Sequence, residues 1–301
     1  MKNNILINPY KPYTSRGIGS IIERISPFIF EKALGVFNIV KDIRYKNTMK
    51  RRVLSIKFFG EIAIETINRC NGTCSFCPVN KNLDTREFHL MKKELFFSII
   101  GQLHNLNYKG TVSLYCNNEA LLDKRIFDFL DYSRTELPLA SLVLSTNGLL
   151  LTTEKFYRII PNLDLLIIDN YDDDLKLPPR IKDIYNICKN DEKYQNKVQI
   201  VLRKKNEILT TRGGQAKNRK KTTKTFISPC IYPFWQIAVR PTGEVSLCCN
   251  DPLGEGTLGD LNKESIVDVW NGHKYIQFRE TMFKEGRKNL LMCKNCDTIV
   301  V

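Results

Sequence analysis

Residues 70–77 read Cys70-Asn-Gly-Thr-Cys74-Ser-Phe-Cys77, a C-x3-C-x2-C motif. Three thiols this close together, on a loop that contains a glycine, can wrap a compact inorganic cluster. An iron–sulfur cube needs four ligands, and the next cysteine is the distant Cys116, so one iron can stay open. An open coordination position distinguishes a catalytic metal centre from a structural one. A structural zinc knuckle is the alternative, but the spacing and the position after a predicted strand favour the cluster.

Around this motif, strand-like runs alternate with helical patterns. Strands are predicted at residues 61–67, 111–116, 141–145, 163–169 and 197–203, and helices at residues 85–103, 124–135, 153–160 and 179–189. Such alternation is typical of βαβ units and of a parallel sheet. The sequence therefore predicts an α/β fold, a partial (β/α)5–6 TIM-like barrel. In that architecture the chemistry lies on the loops that follow the strands, where the cysteine motif falls.

The sequence divides into three predicted regions. Residues 1–52 form a basic helical N-terminal extension, residues 53–215 form the barrel, and residues 225–301 form a C-terminal domain. A run rich in Lys, Arg and Gly over residues 212–224 is predicted to be a solvated linker or flexible loop. Within the extension, residues 21–40 predict one or two amphipathic helices, because charges and a proline interrupt their apolar pattern.

The C-terminal domain is predicted to contain a β-hairpin followed by a helix. Strands at residues 235–240 and 244–249 are joined at Pro241-Thr242-Gly243, and Pro and Gly at these positions fit a type I turn. A helix is predicted from residue 263 to residue 283.

Composition limits the classes of protein to consider. The chain has 301 residues, 43% hydrophobic and 26% charged, which excludes a collagen, a disordered chain and a disulfide miniprotein. The formal net charge of +14 fits an acidic partner surface, a phosphorylated substrate or simple excess of lysine. Because no signal-peptide pattern or transmembrane stretch is found, a cytoplasmic protein is expected, in which clustered cysteines indicate metal or redox chemistry.

A second set of cysteines lies near the C-terminus. Cys230 and Cys248 flank the predicted hairpin, and Cys293 and Cys296 form a C-x2-C pair. Four thiolates are enough for a closed metal site, and by thiolate count alone zinc rivals an iron–sulfur cluster. Cys249 is adjacent to the expected ligand, but neighbouring residues of a strand face opposite ways, so only one of the two is expected to bind.

The C-x3-C-x2-C motif with an aromatic residue before its third cysteine resembles the radical SAM enzymes. In that family the second strand ends in a Gly-Gly-Glu turn that binds the amino group of S-adenosylmethionine (SAM). Here Cys116-Asn117-Asn118-Glu119 stands at that point, with both glycines replaced. The third strand ends in Ser145-Thr146-Asn147-Gly148, and Thr-Asn-Gly is common there in the family.

This resemblance implies a set of site residues. Cys70, Cys74 and Cys77 would hold a 4Fe–4S cluster, and SAM would chelate its fourth iron. Phe76 would lie against the adenine. The remaining polar groups of SAM would be bound by Asn118, Glu119, Ser145, Asn147 and Arg203.

The C-terminal region resembles the SPASM/twitch extensions of radical SAM enzymes. Gly243 lies five residues before Cys248, and Gly259-Asp260-Leu261, an Ile-Val-Asp-Val-Trp-Asn segment at 266–271 and Arg279 follow in the family's order. No cysteine follows Cys296, so the shorter twitch form is implied. It would hold one auxiliary 4Fe–4S cluster on Cys230, Cys248, Cys293 and Cys296.

Together these resemblances imply a radical SAM oxidoreductase. A 5′-deoxyadenosyl radical would remove hydrogen from a C–H bond of a small polar substrate, a sugar or aminocyclitol-like alcohol with or without a phosphate. A fully thiolate-ligated second cluster has no open iron, so it is expected to accept the electron. An electron donor such as flavodoxin or ferredoxin is implied, and no nucleic acid is expected.

Three alternatives stay open. The first is a peptide- or protein-modifying radical SAM maturase. The second is an epimerase in which Cys116 or Cys249 returns a hydrogen atom to the substrate radical. The third is a zinc-stapled, basic nucleic-acid-binding protein, which explains the net charge but not the C-x3-C-x2-C loop.

Overall fold

The computed structural model of the chain describes residues 5–9, 47–48, 51, 53, 56–219 and 229–298. The strands in this part are β1 Leu6–Ile7, β2 Glu61–Ile64, β3 Thr111–Ser113, β4 Ser141–Thr146, β5 Leu165–Tyr171, β6 Val198–Arg203, β7 Gln236–Val239, β8 Glu244–Ser246 and β9 Thr257–Asp260. They form one sheet in the order β1-β6-β5-β4-β3-β2-β7-β8-β9. Pairs from β1 through β7 are parallel, and β7–β8 and β8–β9 are antiparallel.

Helices follow the parallel strands and cover one face of the sheet. The helices of the described residues are α1 Lys93–Asn105, α2 Ile126–Glu136, α3 Thr153–Ile159, α4 Pro179–Asn190, α5 Glu192–Gln195, α6 Tyr232–Trp235, α7 Ile266–Asn271 and α8 His273–Glu285. Short 3-10 turns lie at Ala120–Leu122, Ile160–Asn162, Arg212–Gly214 and Cys293–Asn295. Since β1 and β9 lie at the sheet edges, the barrel is partial, and the predicted fold class is confirmed.

Alternation along the strands separates the core from the inner face. In β5, Leu166, Ile168 and Asn170 are buried, whereas the alternating residues Ile167, Asp169 and Tyr171 are partly exposed. Successive side chains of a strand point to opposite faces, so the second group faces the interior of the partial barrel. This pattern brings polar side chains to the ends of the parallel strands.

Several element boundaries differ from the predictions. The first helix begins at Lys93 rather than at residue 85, and β9 was not predicted. The helix predicted over residues 263–283 is two helices, α7 and α8, separated by Gly272. A side chain at Gly272 would come within 2.9 Å of the Asp268 carbonyl oxygen, so the chain turns there on a glycine.

The N-terminal region also differs from the expectation of a helical extension. Leu6 and Ile7 form an edge strand, paired in parallel with Ile200 and Val201 of β6. The amphipathic helices predicted over residues 21–40 lie outside the described residues. None of the helices in the described part of the chain combines the length and apolar character needed to cross a lipid bilayer.

The predicted solvated linker is wrong in its first half. Gln215 is 8% exposed and Ala216 is 4% exposed, and Thr211, just before the predicted linker, is 1% exposed. The Thr211 hydroxyl donates to the Asn295 carbonyl oxygen at 2.7 Å, which fixes this segment to the C-terminal cysteine loop. The parallel pairing of β7 with β2 also carries the barrel sheet directly into the C-terminal region. Residues 220–228 lie outside the described residues.

Candidate active site

The C-x3-C-x2-C loop follows β2 at the carboxyl end of the barrel strands. Asn80 fixes its shape, because the Asn80 side-chain amide donates to the carbonyl oxygens of Cys74 at 2.8 Å and Cys77 at 2.9 Å. The Gly72 amide donates to the Cys70 sulfur at 3.3 Å. Within the loop, the backbone and one asparagine that sequence reasoning did not single out thus fix the shape.

The three thiols of this loop influence one another. Burial raises the pKa of Cys70 to about 11, and the charges of Glu119 and Cys77 contribute. Burial also raises the pKa of Cys74 to about 12, and Cys77 and Cys70 contribute. A cysteine binds metal as a thiolate. These thiols have raised pKa values, so they would lose their protons when the positive charge of iron is bound.

The donor sets fit clusters better than single ions. Across the described residues, no three His, Cys, Asp or Glu side chains are arranged to hold one metal ion. Four thiolates around zinc converge at about 2.3 Å from one centre, whereas a four-iron cube separates its ligand sulfurs. Three thiols beside an open cavity and four thiols around a closed one are donor sets that 4Fe–4S clusters use.

A cavity of about 250 Å³ opens beside the three thiols, across the ends of β3, β4 and β5. Its lining includes Phe76, Tyr115, Cys116, Asn117, Asn118, Glu119, Ser145, Asn147, Asp169, Tyr171 and Arg212. Of the predicted SAM-binding residues, the structure brings five to this cavity and leaves Arg203 outside its lining.

Glu119 ties the end of β3 to the end of β4. It is 1% exposed, and its Oε1 accepts hydrogen bonds from the Thr146 hydroxyl at 2.7 Å and the Leu121 amide at 3.2 Å. Its Oε2 accepts from the Asn147 amide at 2.7 Å and keeps capacity for one more donor. Burial raises the pKa of Glu119 above its ordinary value. A ligand ammonium would stabilise the charged carboxylate.

Asn118 supplies a donor that the protein leaves open. Its Oδ1 accepts from the Cys116 amide at 3.0 Å, whereas its Nδ2 is buried and has no hydrogen-bond partner. A buried donor without a partner costs about 1–3 kcal/mol, which a bound acceptor would recover. The carboxylate of SAM is such an acceptor, so the residues present fit this cofactor.

The Thr-Asn-Gly end of β4 holds the cluster loop in place. The Asn147 side-chain amide donates to Asn71 Oδ1 at 2.8 Å and lies 3.7 Å from the Cys70 sulfur. Gly148 has φ +75°, and a Cβ there would lie 3.0 Å from Ile181 and 3.2 Å from Ile168. The glycine is required both by its backbone conformation and by this packing.

The remaining predicted SAM contacts are arranged around Asp169. The Ser145 hydroxyl donates to Asp169 Oδ2 at 3.2 Å, and Arg203 Nε lies 3.8 Å from Asp169 Oδ1. Arg203 therefore acts on the cavity through Asp169. The Phe76 ring lies 5.7 Å from the Tyr171 ring and forms one wall with it. Sequence reasoning missed Asp169 and Tyr171, although the period-two pattern of β5 places both on the inner face.

The second thiol set is closed and buried. Cys230, Cys248, Cys293 and Cys296 are each 7–8% exposed and line one small cavity. Burial raises the pKa of Cys248, and the charges of Cys249, Cys230 and Cys293 raise it further. The structure thus brings together the four residues proposed as auxiliary ligands.

Cys116 lines the cavity beside the first thiol set, and Cys249 is adjacent to Cys248 of the second set. Burial raises the pKa of Cys249 to about 11, while the Arg212 guanidinium and a hydrogen bond with Tyr232 lower it. Burial raises the pKa of Cys116 well above its usual value, with Cys249 among the contributing charges. Arg212 donates to Asn117 Oδ1. Sequence reasoning did not select this arginine because it begins a basic run that was predicted to be solvated.

Comparisons with known proteins agree with this geometry. The SPASM family, an iron–sulfur cluster-binding domain, matches residues 230–297. The S-adenosyl-L-methionine-dependent 2-deoxy-scyllo-inosamine dehydrogenase of Niallia circulans is 28% identical over 249 residues, 81% of this chain and 95% of that protein.

Solved structures share the fold. The crystal structure of BtrN in complex with AdoMet and 2-DOIA aligns with a TM-score of 0.69 at 23% identity, over 81% of this chain and 95% of that one. Native anSMEcpe with bound AdoMet aligns with a TM-score of 0.52 at 13% identity, over 78% of this chain and 88% of that one. With the two thiol sets and the cavity between strand ends, the SPASM match and the SAM-dependent relative support a radical SAM enzyme with a C-terminal SPASM/twitch domain, which uses SAM and 4Fe–4S clusters.

Proposed function

We propose that this enzyme oxidises a secondary alcohol of an aminocyclitol-like or sugar-like ring to a ketone. The observation that carries the proposal is the cavity beside the open thiol set, whose lining includes Cys116 and Arg212. Both interact electrostatically with Cys249, the neighbour of Cys248 in the closed set, so we place the substrate in this cavity. The dehydrogenase from Niallia circulans, which by its name acts on 2-deoxy-scyllo-inosamine, supports the substrate class.

The two thiol sets suit different tasks. Three cysteines leave an iron open for SAM, whereas four cysteines leave none for a ligand. Cys70, Cys74 and Cys77 would hold the cluster at which SAM supplies a carbon radical able to remove a hydrogen atom from the substrate. Cys230, Cys248, Cys293 and Cys296 would hold the group that could take up the second electron. The hydroxyl proton would leave as the carbonyl forms, so the substrate would lose two protons and two electrons in all.

Arg212 is the residue we assign to the substrate oxygen. It lines the cavity, is half-buried, and is held by Asn117 with the backbone at φ +49°. A fixed cation beside an oxygen that loses its proton stabilises the developing negative charge. Tyr115 lines the same cavity. Burial raises the pKa of its phenol, so the hydroxyl stays a neutral hydrogen-bond donor.

The test uses 2-deoxy-scyllo-inosamine with deuterium at the reacting carbon, SAM and dithionite under anaerobic conditions. We expect deuterium in 5′-deoxyadenosine and a product lighter than the substrate by two hydrogens. An epimerase would transfer the same label to 5′-deoxyadenosine. Its product from unlabelled substrate would have the mass of the substrate, and in deuterated water the product would take up deuterium.

An epimerase is the second candidate function, and Cys116 favours it. Its side chain lines the cavity, and the raised pKa keeps the thiol protonated, as a hydrogen-atom donor must be. If the enzyme is an epimerase, Cys116→Ala should stop product formation while 5′-deoxyadenosine still forms. Under the oxidation that we propose, this variant should still release ketone.

The proposal includes a reducing compartment and a protein reductant. All ten cysteines are free, which suits a reducing cytoplasm. A flavodoxin or ferredoxin would supply the electron for SAM cleavage.

A further inference from the structure

Arg287 is buried beside the second thiol set. It follows α8, is 1% exposed, and is among the largest fully buried side chains of the described residues. It lines the same small cavity as Cys230, Cys248, Cys293 and Cys296. Its Nη1 donates to the Cys296 carbonyl oxygen at 3.2 Å, which fixes the guanidinium against the C-x2-C loop.

A buried cation costs free energy unless negative charge faces it. Once a cluster is bound, the thiolates of Cys230 and Cys293 add negative charge beside it. In the thiols themselves, burial raises the pKa of both and the guanidinium of Arg287 lowers it.

Asp251 is the acidic group that faces the same thiols. It is 1% exposed, and its charge contributes to the raised pKa of Cys293. Its carboxylate accepts from the Glu255 amide at 2.8 Å and the Gly256 amide at 3.0 Å, so the backbone already stabilises it. This carboxylate therefore has backbone partners of its own.

The first thiol set has a different electrostatic environment. The charges that act on Cys70 are those of Glu119 and Cys77, both of which raise its pKa. The positive charge near Cys74 is the exposed Lys205, which lowers the pKa of that thiol. A charge in the protein interior acts more strongly than one screened by water. The two clusters therefore face unequal fields, with the more positive one at the second site.

We propose that Arg287 raises the reduction potential of the auxiliary cluster and so makes it the electron acceptor. The inference rests on the proposed function, in which that cluster takes the electron lost by the substrate. Reduction adds one negative charge to a cluster that four thiolates already make negative, and a buried permanent cation stabilises the added charge. Arg287 touches neither substrate nor SAM and acts only through the cluster.

The experiment is an EPR-monitored redox titration of the holoenzyme, in which added SAM identifies the signal of the first cluster. Arg287→Gln keeps a hydrogen-bond donor but loses the charge, and we expect at least a tenfold fall in the reduction equilibrium, about 59 mV for one electron. Arg287→Lys keeps the charge and should stay within about threefold. The exposed neighbour Lys288, changed to Gln, is the matched control and should leave the potential unchanged.

Three outcomes would overturn the proposal. These are an unchanged auxiliary potential in Arg287→Gln, an equal fall in both Arg287 variants, and loss of the auxiliary cluster in both. The last two would mean that the arginine's shape and hydrogen bonds matter rather than its charge. Because the titration uses no substrate, its result is independent of whether the product is a ketone.

Discussion

Adjacent cysteines in the C-terminal hairpin should differ completely in their effect on iron content. Cys248 lines the cavity of the second thiol set, whereas Cys249 faces Arg212 and Tyr232. Two four-iron cubes give about eight irons per chain, so Cys248→Ala should leave about four. Cys249→Ala should keep about eight, because no cluster loses a ligand.

The loss should also lower stability. The cluster would join Cys230 to Cys296 and so close a long loop of the chain, and binding free energy of a structural metal group is folding free energy. We expect Cys248→Ala to melt at a lower temperature than Cys249→Ala, which removes a single sulfur from a partly exposed side chain.

Iron and acid-labile sulfide, measured after anaerobic reconstitution, decide the result. A triple change of Cys70, Cys74 and Cys77 to Ala is the reference for the first cluster and should also leave about four irons. Equal iron loss in Cys248→Ala and Cys249→Ala would refute the ligand assignment, as would full iron in Cys248→Ala.

The fold was largely predictable because its signals are local. Apolar runs in strands such as 141–145 and the helix pattern after them predict βαβ units without knowledge of distant contacts. Errors arose where long-range packing decides the outcome. The short β9 reads as a loop in sequence, and only its pairing with Glu244–Ser246 makes it a strand.

The proposed cluster ligands could be named from the sequence because the spacing of cysteines indicates metal chemistry. The cavity lining was less predictable, since it depends on which side chains the barrel brings together. Asn117 and Arg212 are 95 positions apart and meet only in the folded chain. The burial of Thr211 could not be read from a basic, glycine-containing segment, because the C-terminal loop that covers it lies far along the chain.

Two further predictions concern the cavity. Arg212→Met should lower kcat/KM for the alcohol by about 10²- to 10³-fold, since one charge-stabilising group is lost, while 5′-deoxyadenosine still forms; parallel assays of product and 5′-deoxyadenosine test this, and equal loss of both would contradict the assigned role. The second prediction is that Glu119 makes SAM binding depend on pH. Burial raises the pKa of Glu119, so as the pH falls its carboxylate takes up a proton earlier than an exposed glutamate would, and its attraction for the SAM ammonium is lost. SAM affinity, measured by anaerobic titration, should therefore weaken on acidification, and at a higher pH than an exposed glutamate would cause, while the ammonium itself stays charged. Glu119→Gln should bind SAM at least about tenfold more weakly at neutral pH, because a hydrogen bond to a charged group contributes about 1.5–3 kcal/mol, and its affinity should vary little with pH. Iron content shows whether the variant keeps its first cluster, and an equally steep pH dependence in the iron-replete Gln variant would show that another group controls SAM binding.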